Sequence, residues 1–314
     1  MNEPLLERFQ HRDRLALARL ISLAARGEAL PEIASLLKPV EKQSRVVVVT
    51  GSPGVGKSTL VGKLIDLLRA RGVTVAVLAS DPESPVSGGA LLGDRFRMQT
   101  RPDDEGVFIR SLAAKPGHGV VADHLDVMIR LLEAFAFEVI LIETVGAGQG
   151  DTAVRDLADV VVLLLQPETG DDLQWEKAGI LEVADIIAVH KSDLPPAPQV
   201  EAQVGATLSL SSKMPEILRV SSKTGEGVEA LWTAISSYPS RRSNTSDSGR
   251  ELFHRALQAL AQWLAAAEAE LHPGVSDVIQ QWRNGSLPEP DAVQRLLQLF
   301  VNDYASSEKN VMVP

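Results

Sequence analysis

Gly51, Gly54 and Gly56, followed at once by Lys57 and Ser58, have the spacing needed to hold a chain of phosphates. They lie in VVVVTGSPGVGKSTL, residues 46–60, where four valines lead into G-x-x-x-x-G-K-S and then into a helical pattern. Glycines let backbone N–H groups curl around phosphate oxygens, and the helix that follows turns its positive N-terminal end toward them. Ser52, Pro53 and Val55 complete the loop. Lys57 is placed to reach the β- and γ-phosphates, Ser58 to put its hydroxyl on Mg2+, and Thr59 to hold the α-phosphate through its own N–H. A chance glycine-rich turn would match the bare pattern, but a buried strand before it and a helix after it point to nucleotide binding.

Such a loop must be carried by a sheet. From Arg45 onward, apolar strands alternate with amphipathic helices. Strands are expected at Val46–Thr50, Val73–Ala79, Val107–Arg110, Val139–Glu143, Val160–Leu165, Ile186–Val189 and Ile217–Val220. Helices are expected after the loop to about Arg71, over Val120–Phe135, from near Leu173, after Pro198, and over Glu226–Ser237. Continuous apolar strands separated by helices predict an α/β fold: a mainly parallel P-loop NTPase sheet covered by helices on both faces. Ahead of it, Arg12–Ala25 and Glu32–Lys38 read as helices, making residues 1–44 an N-terminal helical extension to the domain at 45–238. Residues 239–249 lose apolar periodicity and read as a linker. Residues 250–314 return as a C-terminal helical extension with helices over Glu251–His272, Val275–Trp282 and Pro290–Tyr304, and a loose tail. The apolar stripe of the first of these favours a dimer.

Four further segments narrow the chemistry. The strand Val139–Glu143 ends in a carboxylate, which sets an acid near a Mg2+ shell at the carboxyl end of the sheet. Glu143-Thr-Val-Gly146 resembles the D-x-x-G of GTPases with Glu for Asp, so Gly146 would give its N–H to the γ-phosphate. His190-Lys191-Ser192-Asp193 resembles N-K-x-D with His for Asn. There the Asp carboxylate pairs with guanine N1–H and the 2-amino group, a donor pair adenine lacks. A His at 190 could still tie the base loop to the phosphate loop through one ring nitrogen. Ser221, Ser222 and Lys223 stand where a guanine-contacting S-A-K loop belongs. Finally, Asp81 to Met98 supplies Asp81 and Asp94, plausible partners of Mg2+ or its waters, in a loop that a γ-phosphate could order.

The runs D-P-x-S-P-x-S-G-G-x-L-L-G-D-R-x-R-M from Asp81, E-T-V-G-x-G-Q from Glu143 and TGDDLQWEKAGI from Thr169 together resemble the MeaB/ArgK/MMAA family, and the likeness extends over nearly the whole chain. The resemblance implies a homodimeric G protein, binding GTP and GDP with Mg2+. It implies association with an adenosylcobalamin-dependent acyl-CoA mutase, gating of cofactor loading, and removal of damaged cofactor. It also makes Asp81–Met98 and Glu143–Asp156 the switches, and Pro167–Ile180 a third segment that contacts the mutase, with Asp171, Asp172 and Lys177 taking part. The chain departs from the family pattern at His190, at Ser222 where Ala is common, and at Glu168-Thr169. Gln149 is not at the position next to Gly146, and no cis arginine finger is evident, although Arg95 and Arg97 lie in the first switch. The expectation is slow intrinsic hydrolysis accelerated by the partner.

Composition sets the bounds. The 314 residues are 45% hydrophobic and 23% charged, as in ordinary folded proteins, and the formal net charge of −10 argues against a nucleic-acid surface. There is no cysteine, so disulfides, thiolate metal sites and cysteine nucleophiles are excluded, and a reducing cytoplasm fits. No apolar run approaches the roughly 18 residues of a membrane span. Three rivals remain at this stage: a small-molecule or protein kinase or ATPase, a nickel-insertion GTPase, and a nonhydrolysing interaction module. The kinase would prefer ATP. The nickel enzyme would need a metal site from six scattered histidines.

Overall fold

The valine run explains the layering. Val46 and Val48 pack into one apolar layer, and Val47 and Val49 pack into the other. This strand is therefore buried on both faces, and helices must cover each side. The computed structural model describes residues 3–30, 32–33, 37, 43–82, 104–114, 124–144, 154–167, 184–208, 215–242, 260, 263 and 272–309.

The strands are β1 Arg45–Gly51, β2 Val75–Pro82, β3 Val107–Ala114, β4 Val139–Glu143, β5 Val160–Leu165, β6 Ile186–His190 and β7 Glu216–Val220. Among the described residues they form one sheet in the order β3-β2-β4-β1-β5-β6-β7, with every neighbouring pair parallel. This is the expected P-loop NTPase architecture. The chain leaves β1 toward β2 and β3, returns to place β4 beside β1, then continues on β1's other side with β5. The carboxyl end of β1 is thus a point where the winding changes direction, which is where open α/β sheets bind ligands. Register brings Val49 level with Glu143 on one side and Gly51 level with Leu164 on the other.

The helices among the described residues are α1 Glu3–Gln10, α2 Arg14–Ala25, α3 Lys57–Ala70, α4 Leu125–Ala134, α5 Ala197–Leu208, α6 Val228–Ser237, α7 Pro273–Arg283 and α8 Glu289–Lys309. Helices α3 and α6 share a core with Val47 and Val49. On the other face, Leu17, Leu20 and Ile21 of α2 and Met128, Leu131 and Leu132 of α4 are fully buried beside Val46 and Val48. Helix α5 covers Leu163, Leu165, Ile187 and Val189. The helix expected over Arg12–Ala25 begins at Arg14 because Asp13 caps α2, its carboxylate accepting from the N–H groups of Leu15 (2.8 Å) and Ala16 (3.2 Å). Helix α1 was too short to be legible as a separate element. The expected helix near Leu173 and most of Glu251–His272 lie outside the described residues.

The amino ends of the strands carry a second polar layer. Asp159 Oδ2 accepts from the N–H of Val46 (2.8 Å) and Asp185 Oδ2 from that of Val161 (2.9 Å). Residues 238–242 close over these carboxylates. Tyr238 donates to Asp185 Oδ1 (3.0 Å), Arg241 pairs with Asp185, and Ser240 donates to Asp159. Arg242 donates to Glu133 Oε1 at 2.7 Å and lies 3.9 Å from Asp159 Oδ2.

The chain divides into two units, Met1–Ser243 and Asn244–Pro314. In the second, Val278, Leu287 and Ala292 form a small core with Leu296 and Leu299 packed on it. Trp263 meets Phe300 edge to face, with ring centroids 5.6 Å apart. Val293, Leu297 and Val301 stand exposed at four-residue intervals along α8, a solvent-facing apolar stripe.

Candidate functional site

At the carboxyl ends of the strands a cavity of about 720 Å3 is lined by Pro53, Gly54, Gly56, Lys57, Ser58, Thr59, Ser80, Glu143, Thr144, His190, Lys191, Asp193, Leu194, Ser221, Ser222 and Lys223. Of the residues singled out from sequence, the structure thus gathers the phosphate loop, the acid of β4 and both base-loop segments around one space. The volume is in the range of small-molecule sites.

The phosphate loop is shaped by backbone requirements. Gly51 has φ +147, and a Cβ there would come within 2.5 Å of the Leu164 carbonyl oxygen. Gly56 has φ +100, and a Cβ there would come within 2.5 Å of the His190 ring. Both positions exclude a side chain on steric grounds as well as conformational ones. Lys57 opens α3 and is buried, its ammonium donating to the carbonyls of Gly51 (2.9 Å) and Ser52 (3.2 Å). A cation is thereby held over the loop that would surround the phosphates.

Ser58, one residue on, donates to Glu143 Oε1 at 2.7 Å, and both are buried. Behind them Thr144 donates to Thr50 Oγ1 at 2.9 Å, tying the end of β4 to the end of β1. Two oxygen donors of hard-ion character meet where the sheet's strands end, a fit for Mg2+. Asp81 falls on β2, but its side chain lies outside the described residues, as do Asp94, Gly146, Gln149, Arg95, Arg97, Asp171, Asp172 and Lys177.

The base side of the cavity is built by the loops after β6 and β7. Ser221 donates to Asp193 Oδ1 at 2.7 Å, and Lys223 Nζ lies 3.7 Å from Oδ2. The Ser221 hydrogen bond, helped by the Lys223 charge, holds the Asp193 carboxyl below its ordinary range, so it stays ionised and acceptor-only. Lys191 donates to Gln166 Oε1 at 2.9 Å, which anchors this loop to the end of β5. His190 is buried with both ring nitrogens engaged: Nδ1 is 2.7 Å from the Val55 carbonyl oxygen and Nε2 is 2.7 Å from Ser222 Oγ. The bond from His190 to the phosphate loop is the one expected of that position. Sequence reasoning missed Ser80, Thr50, Thr144 and Gln166. Each stands at the end of an apolar strand, where a polar residue marks the active edge of a parallel sheet.

A family model described as "Methylmalonyl Co-A mutase-associated GTPase MeaB" matches residues 17–273. The chain belongs to the MeaB family. Curated relatives agree along its length. A Pyrococcus abyssi protein carrying a GTPase name is 36% identical over 98% of this chain and 95% of its own. "GTPase ArgK" of Escherichia coli is 32% identical over 82% of this chain and 81% of its own. The mouse "Methylmalonic aciduria type A homolog, mitochondrial" is 33% identical over 81% of this chain and 65% of its own. Among solved structures, one described as LAO/AO transport system kinase aligns with TM-score 0.58 over 95% of this chain and 98% of that one. At 22% identity it speaks for the fold alone. This MeaB-family chain is accordingly a P-loop GTPase, a class that binds a guanine nucleotide, and the kinase, nickel-insertion and nonhydrolysing readings are not favoured. Among the described residues no helix is long and apolar enough to cross a membrane.

Proposed function

We propose that this GTPase is a chaperone of an adenosylcobalamin-dependent acyl-CoA mutase of the methylmalonyl-CoA type, gating cofactor loading and its protection or reactivation. The family description and the name of the mouse relative support the choice of client. The observation that carries the nucleotide part is the presentation of Asp193. Its carboxylate is fixed by Ser221 beside a loop held to the phosphate cradle by His190, so it faces the cavity as an ionised acceptor for two guanine donors.

In hydrolysis, Lys57 and the loop amides would stabilise charge on the γ-phosphoryl group, with Gly146 adding its N–H. Ser58 would hold Mg2+ and Glu143 would orient its shell, with Asp81 and Asp94 as further partners from the first switch. The ion, when bound, offsets charge on the phosphate oxygens. Intrinsic turnover is slow, and the mutase accelerates it through the segment bearing Asp171, Asp172 and Lys177. Residues 1–44, 45–238, 239–249 and 250–314 serve as helical extension, GTPase domain, linker and dimerisation region. The exposed stripe of Val293, Leu297 and Val301 supports a homodimer. The cysteine-free, acidic composition supports a cytoplasmic protein without nucleic-acid or membrane partners.

Calorimetric titration of nucleotide-free protein with GDP and with ADP in Mg2+ buffer, repeated for Asp193→Ala, tests the nucleotide part. GDP is expected to bind roughly a hundredfold tighter than ADP, with most of that preference lost in the variant. Equal or tighter ADP binding overturns the reading. GTP turnover measured with and without added mutase tests the client. Stimulation supports the chaperone role, and unchanged turnover without complex formation on gel filtration removes it.

A further inference from the structure

His190 ends β6 and Ser222 lies 32 positions on, in the loop after β7, and their side chains meet at 2.7 Å. The other ring nitrogen of His190 reaches the Val55 carbonyl at 2.7 Å. A carbonyl only accepts, so Nδ1 carries the proton. In a neutral imidazole Nε2 is then the acceptor and the Ser222 hydroxyl its donor. Burial favours the neutral ring, since His190 is 3% and Ser222 5% exposed. The ring also lies against Gly56, where any Cβ would strike it. Three segments, the phosphate loop, the base loop ending in Asp193 and the loop after β7, are therefore locked through one imidazole.

We propose that Ser222 is a positioning residue for nucleotide retention: by donating to Nε2 it holds the His190 ring in the orientation from which Nδ1–H reaches Val55, so the two residues work as a matched pair. With alanine at 222, Nε2 would lose its donor. The ring could then turn away from the line to the Val55 oxygen and loosen the tie to the phosphate loop. With asparagine at 190, the amide N–H could reach Val55 and no ring nitrogen would need the serine. Histidine at 190 and serine at 222 therefore make sense together, although each looks like an independent departure in sequence. This inference rests on the guanine-nucleotide reading.

The test is the release rate of a fluorescent GDP analogue from the full chain as wild type, Ser222→Ala, Ser222→Thr, His190→Asn and the His190→Asn/Ser222→Ala double variant. Removing the donor to a buried acceptor is expected to speed release about tenfold in Ser222→Ala, and threonine, which keeps the hydroxyl, to restore it to within about twofold. In the His190→Asn background, Ser222→Ala is expected to change release by less than about twofold. An equal effect of Ser222→Ala in both backgrounds, or none in the wild type, overturns the pairing. Nitrogen NMR of the His190 ring in nucleotide-free protein reads the pair separately. A protonated Nδ1 with an acceptor Nε2 whose nitrogen shift moves on loss of its donor in Ser222→Ala supports it, and Nε2–H in the wild type overturns it. Failure of GDP binding alone would instead count against the nucleotide reading.

Discussion

The Ser58 hydroxyl donates to Glu143 Oε1 at 2.7 Å, joining the first turn of α3 to the last residue of β4. The contact sets the hydroxyl and the carboxylate on one side of the cradle before any ion is considered. Glu143→Gln keeps the shape and removes the charge. GTP turnover is expected to fall by roughly ten- to a hundredfold, and the Mg2+ dependence of GTP affinity to flatten. Single-turnover phosphate release across a Mg2+ series checks this; an unchanged rate and Mg2+ dependence would remove Glu143 from the ion's surroundings.

Acid sensitivity follows from His190. Burial, the largest influence, holds its imidazole below the ordinary 6.5; the Val55 bond opposes the shift, Lys191 adds to it and Asp193 opposes it. The unfolded chain therefore binds a proton near pH 6.5 that the folded chain refuses. The contribution to stability is complete above that pH and is lost as pH falls from there through the lower folded value. Urea midpoints at pH 7.5 and 5.5 are expected to differ more in wild type than in His190→Asn. An identical pH response in the two proteins would contradict the assignment.

Arg242 holds Glu133 at 2.7 Å with little solvent access to either side chain, 14% and 5% exposed. Arg242→Ala leaves a buried carboxylate without that partner, a loss of about 3 kcal/mol or more. For a unit of this size the fall in Tm is about 6–12 °C. Replacing both partners together, as Glu133→Gln/Arg242→Met, is expected to recover a large part of the fall. Differential scanning calorimetry of the three proteins decides it.

Helices α1 and α2 are structural parts of the sheet's cover. Leu17, Leu20 and Ile21 are fully buried against the layer that contains Val46 and Val48. Leu17→Ala is expected to cost about 2–5 kcal/mol through lost burial and the cavity left behind. Chemical denaturation measures the single variant. A chain lacking residues 1–25 is expected to aggregate on expression, and a soluble, cooperatively unfolding truncation would show that the face tolerates solvent.

The sheet was legible because its central strands are fully buried: the VVVV, VILIE and VVVLLL runs admit little else between helical patterns. Strand order was not, since nothing local in Val160–Leu165 says that it will lie beside Val46–Thr50 while Val107–Arg110 goes to the edge. The cradle and Asp193 could be read because their chemistry fixes residue type and spacing. The His190–Ser222 contact could not, because it joins the last residue of β6 to the loop after β7, and their meeting depends on the parallel pairing of the two strands. The polar stretch from Tyr238 carried no apolar period. Its first residues are nonetheless fastened to the sheet by Arg241 and Arg242, whose partners Asp185, Glu133 and Asp159 lie far away in sequence.

Those fastenings sit at the amino ends of β5 and β6, whereas the cradle and base loops sit at the carboxyl ends. Strand β5 runs between them, with Asp159 at one terminus and Leu164 against Gly51 at the other. A fully paired central strand behaves as a stiff rod that neither stretches nor refolds at modest cost. Paired on both sides, β5 keeps the phosphate cradle and the Arg242 clasp at opposite ends of one strand at a fixed separation.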